Sequence, residues 1–114
     1  MPFVQAKISK KLSDSERSSL QKELTTIIQD ELNKPAGFIM TGIEDGYNLW
    51  LGNSRLDNGA MISVQQFGSA NRDAYNAITQ RICDYLKNSL GTPSDKVYVT
   101  FQSINEWGWN GQLF

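Results

Sequence analysis

Pro2 stands directly behind Met1, at the head of the alternating stretch PFVQAKIS. Two readings of that position differ in kind. As a strand opener proline does no harm, because its missing N–H falls where the ladder has barely begun. As chemistry, removal of Met1 turns Pro2 into an N-terminal secondary amine, a base with no side-chain equivalent. A free α-amino group titrates at about 7.7–8.0, within reach of neutral pH. That matters because the chain has no histidine, which excludes Ser-His and Cys-His nucleophilic systems and the commonest metal ligand. Cys83 is the only cysteine, so neither an intrachain disulfide nor a CxxC redox or zinc motif can form. It falls in a strongly helical segment and reads as a small packed thiol.

The other residues of chemical interest have ordinary readings when taken singly. Lys34, just after a helical segment, reads as a helix-end lysine favoured by the macrodipole. Tyr98 reads as packing or interface, and the WGW run at Trp107 to Trp109 as a buried turn or an oligomer contact. None of these decides the question posed by Pro2.

The elements that must position them are legible from periodicity. The stretch SDSERSSLQKELTTIIQDEL opens with Ser13 and Glu16 at capping-box spacing. Leu20, Leu24, Ile27, Ile28 and Leu32 follow as one apolar stripe, and NKP is expected to end the helix, since Pro35 biases Lys34 away from helical geometry. A second helix is expected from Asn71, with Tyr75, Ile78, Ile82, Tyr85 and Leu86 on one face, stopped by Gly91 and Pro93. Four strand candidates flank the helices: PFVQAKIS, GFIMTGI, AMISVQQF and KVYVTFQSI. Strand–helix–strand thus occurs twice. The fold class expected is α+β: two βαβ pseudo-repeats with right-handed crossovers, forming a four-stranded mixed sheet with both helices on one face.

The second sheet face is semi-polar, with Met61, Phe67, Tyr98 and Ile104 interleaved among Ser63, Gln65, Thr100 and Gln102. Such a face suits association between subunits better than open water, so a homo-oligomer is expected. At 114 residues and a net charge of −1, the chain suits a single domain, residues 1–114, without the basic footprint of a nucleic-acid binder. No apolar run approaches a membrane span and the N-terminus lacks a signal-peptide core, so a cytoplasmic protein without membrane partners is the default expectation.

Taken in order, Pro2 behind Met1, Lys34-Pro35, GSANRDAY, DKVYVTF and the terminal WGWNGQLF resemble the macrophage migration inhibitory factor family of the tautomerase superfamily. The resemblance spans Pro2 to Phe114. It implies a homotrimer with sites at subunit interfaces, and keto–enol tautomerisation of phenylpyruvate-type α-keto acids without metal or cofactor. Residue by residue, Pro2 matches the catalytic proline and Lys34 the lysine that binds the substrate carboxylate. Phe67 falls where the family offers a backbone N–H to the substrate, and Tyr98 matches a pocket tyrosine from the neighbouring subunit. Trp109 and Phe114 match aromatic wall positions. Three departures stand out. Thr100 replaces an asparagine that reaches the far end of an aromatic substrate, Trp107 replaces a smaller aliphatic residue, and Gly59 to Ile62 lie where some members carry a CxxC. The alternative within the same family is a binding or signalling protein whose pocket is vestigial or a recognition surface. A third reading is a structural oligomer in which Pro2 only opens a strand.

Overall fold

The computed structural model describes residues 1–114. Its first strand, β1 (Pro2–Ile8), buries Pro2, Val4, Ala6 and Ile8 and leaves Phe3, Gln5 and Lys7 on the other face, as period-two alternation requires. Helix α1 (Asp14–Leu32) starts on a complete capping box. The Glu16 N–H donates to Ser13 Oγ at 3.1 Å, and the Ser13 N–H donates to Glu16 Oε1 at 2.9 Å. Its apolar stripe, Leu20 to Leu32, is buried as expected.

The end of α1 differs from expectation in its cause. Asn33, at φ 53°, takes the left-handed turn that stops the helix, one residue before Lys34. Asparagine tolerates that conformation better than most residues. Pro35 then opens a 3₁₀ turn over Ala36–Phe38, so Gly37 and Phe38 are not strand residues; β2 begins later, at Met40, and runs to Glu44. A short hairpin, β3 (Trp50–Leu51) and β4 (Ser54–Arg55), leads to β5 (Ala60–Phe67).

Helix α2 (Arg72–Leu90) is capped by Asn71, whose Oδ1 accepts the Ala74 N–H at 2.9 Å, and ends at Gly91 with φ 70°. Ile78, Ile82, Leu86 and Leu90 are its buried residues, with Tyr75 and Tyr85 half-buried against the same core. A 3₁₀ turn (Ser94–Lys96), β6 (Val97–Ile104) and a terminal hairpin, β7 (Gly108–Trp109) with β8 (Gln112–Leu113), complete the chain.

The sheet order is β2-β1-β5-β6. β1–β2 and β5–β6 are parallel, and β1–β5 at the centre is antiparallel. Each helix is therefore the crossover of one βαβ unit, and the two units meet back to back. Both helices pack over the face carrying Val4, Ala6, Ile62 and Val64, and Arg81 ties them together through Asp30 and Glu31, each at 3.0 Å. The opposite face carries the rows Phe3–Gln65–Gln102, Gln5–Ser63–Thr100 and Lys7–Met61–Tyr98. Neither helix covers those rows. At the edge, β6 buries only Val97.

Two junctions hold the far end of the sheet. Asp45, past β2, accepts the Leu12 N–H at 2.7 Å, and Arg17 lies 3.4 Å from the same oxygen. The Leu12 hydrogen bond, with Arg17 assisting, holds the Asp45 carboxyl below the usual carboxylate range. Gly59 meets Ser9 through three hydrogen bonds: its N–H donates to Ser9 Oγ at 2.7 Å, and its carbonyl accepts from Ser9 N–H at 3.0 Å and Ser9 Oγ at 3.2 Å. A Cβ at Gly59 would stand 2.6 Å from Leu56 Cδ1 and 3.0 Å from the Lys96 carbonyl, so only glycine allows this approach.

Candidate active site

Pro2 is buried at the start of β1, in the middle of the sheet, where it pairs across to Gln66. Because β2 lies on one side of β1 and β5–β6 on the other, the elements at this end of the sheet rise as two walls around it. Phe38, Ile39 and Met40 form one wall; Ile104, Glu106, Trp107 and Trp109 form the other. The cleft between them has a volume of about 740 Å³ and includes Met1, Pro2 and Gln65. Phe38 and Trp109 meet edge to face at 5.7 Å between ring centroids, joining the walls.

The end of β5 brings a backbone donor to the same place. The Phe67 N–H donates to the Met1 carbonyl at 3.1 Å, and that oxygen belongs to the very peptide group that acylates the Pro2 nitrogen. A second layer fixes this strand end. Buried Gln66 donates from Nε2 to the Tyr75 hydroxyl at 2.7 Å, the Ala70 N–H donates to the same hydroxyl at 3.3 Å, and the Tyr75 ring stacks on Phe101 at 4.3 Å.

Lys34 arrives from the helix layer. A crossover helix runs antiparallel to its strands, so the C-terminal end of α1 returns to the start of β1. At 19 residues α1 is roughly 28 Å long, enough to travel back along the whole strand. The resulting proximity is felt at the N-terminus: burial first, then the Lys34 charge, lowers the Met1 amine below its ordinary value. Lys34 itself makes no ion pair with any carboxylate of the chain.

Phe114 packs on Phe67 at 5.3 Å and on Trp109 at 6.2 Å, so the terminal hairpin braces the wall from behind. Tyr98 and Thr100 lie elsewhere. Tyr98 is level with Lys7, five residues along from Pro2, which is about 17 Å of strand, and it is two strands away as well. Tyr98 is 60% exposed, beside a small apolar pocket with Trp50 and Met61. Thr100 is likewise displaced from the Pro2 cleft, level with Gln5. One chain therefore assembles Pro2, Phe67, Trp107 and Trp109, with Lys34 and Phe114 alongside, and leaves Tyr98 and Thr100 outside.

Phe38, Met40, Gln65, Ile104 and Glu106 join the cleft although nothing in the sequence marks them as site residues. GFIMTGI reads as strand throughout, and the 3₁₀ turn that swings Phe38 over the cleft has no periodicity to betray it. No three His, Cys, Asp or Glu side chains converge to hold a metal ion, and no helix is long and apolar enough to cross a membrane.

The profile of the family described as macrophage migration inhibitory factor matches residues 1–114. The chain belongs to that family. A macrophage migration inhibitory factor of Xenopus tropicalis is 29% identical over 103 residues, covering 89% of each chain. A macrophage migration inhibitory factor homolog of Trichinella spiralis is 26% identical over 102 residues, covering 85% of this chain and 86% of that one. The crystal structure of Leishmania major MIF2 superposes with a TM-score of 0.91 at 31% identity, over 100% of this chain and 97% of that chain. Membership in the macrophage migration inhibitory factor family thus extends through the terminal hairpin as well as the βαβ repeats.

Proposed function

We propose that this protein is a cofactor-independent keto–enol tautomerase for phenylpyruvate-type α-keto acids, with Pro2 as general base once Met1 has been removed. The observation that carries this reading is the Phe67 N–H aimed at the Met1 carbonyl. That oxygen sits about 2.3 Å from the Pro2 nitrogen by covalent geometry. Removing Met1 frees the amine and, in the same step, frees a backbone donor pointing at the space beside it. A substrate oxygen placed there is within reach of both groups.

The chemistry follows from the groups present. In the ketonising direction the neutral amine takes the enol O–H proton, and the pyrrolidinium returns a proton to C3. Negative charge on the substrate oxygen in between is met by the Phe67 N–H, a fixed donor that needs no reorganisation. A base works best when its pKa lies near the operating pH. Burial and the Lys34 charge both favour the neutral amine, as they already do for the amine of Met1. Lys34, free of any internal carboxylate, is available to the substrate's carboxylate. Phe38, Trp107 and Trp109 offer aromatic surface to its ring.

The complete site in this reading belongs to a homotrimer. Its support is the bare sheet face, the unpaired edge of the eight-residue β6, and the exposure of Tyr98 far from its own Pro2. An unpaired edge of this length invites pairing with another chain. The neighbour's Tyr98 would then complete the pocket. Thr100, shorter than an amide side chain, would favour an unsubstituted ring over a para-hydroxylated one.

Retention of Met1 is the state that favours the second reading, a binding or signalling protein. The Pro2 nitrogen is then an amide, and the cleft can bind but cannot catalyse. Intact-mass analysis combined with an assay of phenylpyruvate enol separates the two. Chains starting at Pro2 should turn over, and chains starting at Met1 should be inactive. Equal turnover by both forms would leave Pro2 as a strand opener only.

A further inference from the structure

Glu106 is the one side chain in the Pro2 cleft that carries a negative charge. It sits in the turn between β6 and β7, next to Trp107, on the wall opposite Phe38 and Met40. It makes no ion pair: neither Lys34 nor the Met1 amine lies within bridging distance, and Arg17, Arg81, Lys10 and Lys96 are engaged elsewhere. Its neighbours in the wall are Ile104, Trp107, Gly108 and Trp109, none of which can neutralise it. The cleft therefore has a cation near its N-terminal amine and an uncompensated carboxylate on an otherwise apolar wall.

We infer that Glu106 is a specificity-determining residue. It makes the cleft accept α-keto acids with one carboxylate and an uncharged distal group, and reject those with a second, distal carboxylate. The inference rests on the proposed reading in one respect, that Lys34 holds the substrate's first carboxylate. With that end anchored, this reading lays the rest of the molecule along the aromatic wall of Trp107 and Trp109, beside Glu106. A distal carboxylate there meets a like charge at close range, at an exposed position where solvent and salt screen the repulsion without abolishing it. Such a repulsion is worth about tenfold in affinity and weakens as salt is added.

The test uses two matched pairs on Met1-processed protein. For binding, isothermal titration compares cinnamate with 4-carboxycinnamate, which share shape and first carboxylate and cannot tautomerise. For turnover, kcat/KM compares the enols of phenylpyruvate and 4-carboxyphenylpyruvate. The expected result is a preference of about tenfold for the monocarboxylate in both pairs, shrinking to about twofold or less in Glu106→Gln and inverting in Glu106→Lys. Raising the salt should narrow the preference in the native protein and leave Glu106→Gln nearly indifferent. The same preference in all three proteins would overturn the inference, as would failure of cinnamate itself to bind. Turnover absent from every protein, with the binding preference still responding to residue 106, would instead sink the tautomerase reading and sustain the role of Glu106.

Discussion

At the scale of single residues, the N-terminus concentrates three physical effects: burial, a neighbouring cation and a backbone donor. Their signs can be separated. A cation raises the cost of protonating an adjacent amine, so Lys34→Ala should shift the amine's titration upward. The rising limb of kcat/KM against pH, which follows the neutral amine, should move to higher pH in that variant. The KM for phenylpyruvate should also rise, by about tenfold, because a charge-assisted hydrogen bond to the carboxylate is lost. A pH profile and a KM both unchanged would reduce Lys34 to a helix-end lysine. In Met1-retaining protein the same coupling acts on stability. The folded amine titrates lower than the unfolded one, so the unfolded chain binds more protons in the window just below pH 8. Stability contributed by this group therefore rises with pH through that window and levels off above it.

At the scale of elements, the site depends on where α1 stops and how β1 and β5 meet. The capping box sets the start of α1, and the left-handed Asn33 sets its end, which together place Lys34 over the head of β1. Ser13→Ala removes one side of the box and should cost about 1 kcal/mol in urea unfolding with little change in m-value. Gly59→Ala should cost more, about 1–3 kcal/mol, because its Cβ runs into Leu56 and into the Lys96 backbone, which cannot rotate away. Ser13 lies far from both the Pro2 cleft and Tyr98, so folded Ser13→Ala protein should keep its KM. A Gly59→Ala protein as stable as the native chain would show that the Leu56 side chain and the Lys96 loop yield freely.

At the scale of the whole molecule, the proposed site draws on residues that one chain does not bring together. Tyr98 and Thr100 are carried by β6 on the sheet face away from the helices, well removed from Pro2. If subunits share sites, two defective proteins should complement each other. Lys34→Ala and Tyr98→Ala homotrimers should each be impaired, and refolding them together should restore activity in sites that take Lys34 from one chain and Tyr98 from another. Recovery in the statistical proportion expected of mixed trimers supports the shared site. Mixtures no better than the average of the two parents, or sedimentation as a monomer at micromolar concentration, would place the whole site within one chain.

Local signals in the sequence specify the two βαβ repeats, both helix starts, and the core faces of β1, β5 and β6. Capping boxes, apolar stripes and period-two alternation are local signals, readable wherever they occur. It also singled out Pro2, because a chain without histidine has few neutral-pH bases. The tertiary structure decided what those signals could not. That Asn33 rather than Pro35 stops α1 is a matter of one backbone angle, and asparagine does not always adopt it. That Phe38 swings over the cleft follows from a single 3₁₀ turn with no periodicity. Glu106 is an ordinary surface carboxylate until strand order brings the end of β6 to the same end of the sheet as Pro2. Nor could spacing alone show that the Phe67 N–H points at the carbonyl of Met1, since the two residues belong to different repeats, far apart along the chain. Local sequence chooses elements. Only the antiparallel pairing of the two repeats, a contact between distant segments, makes their ends into one cleft.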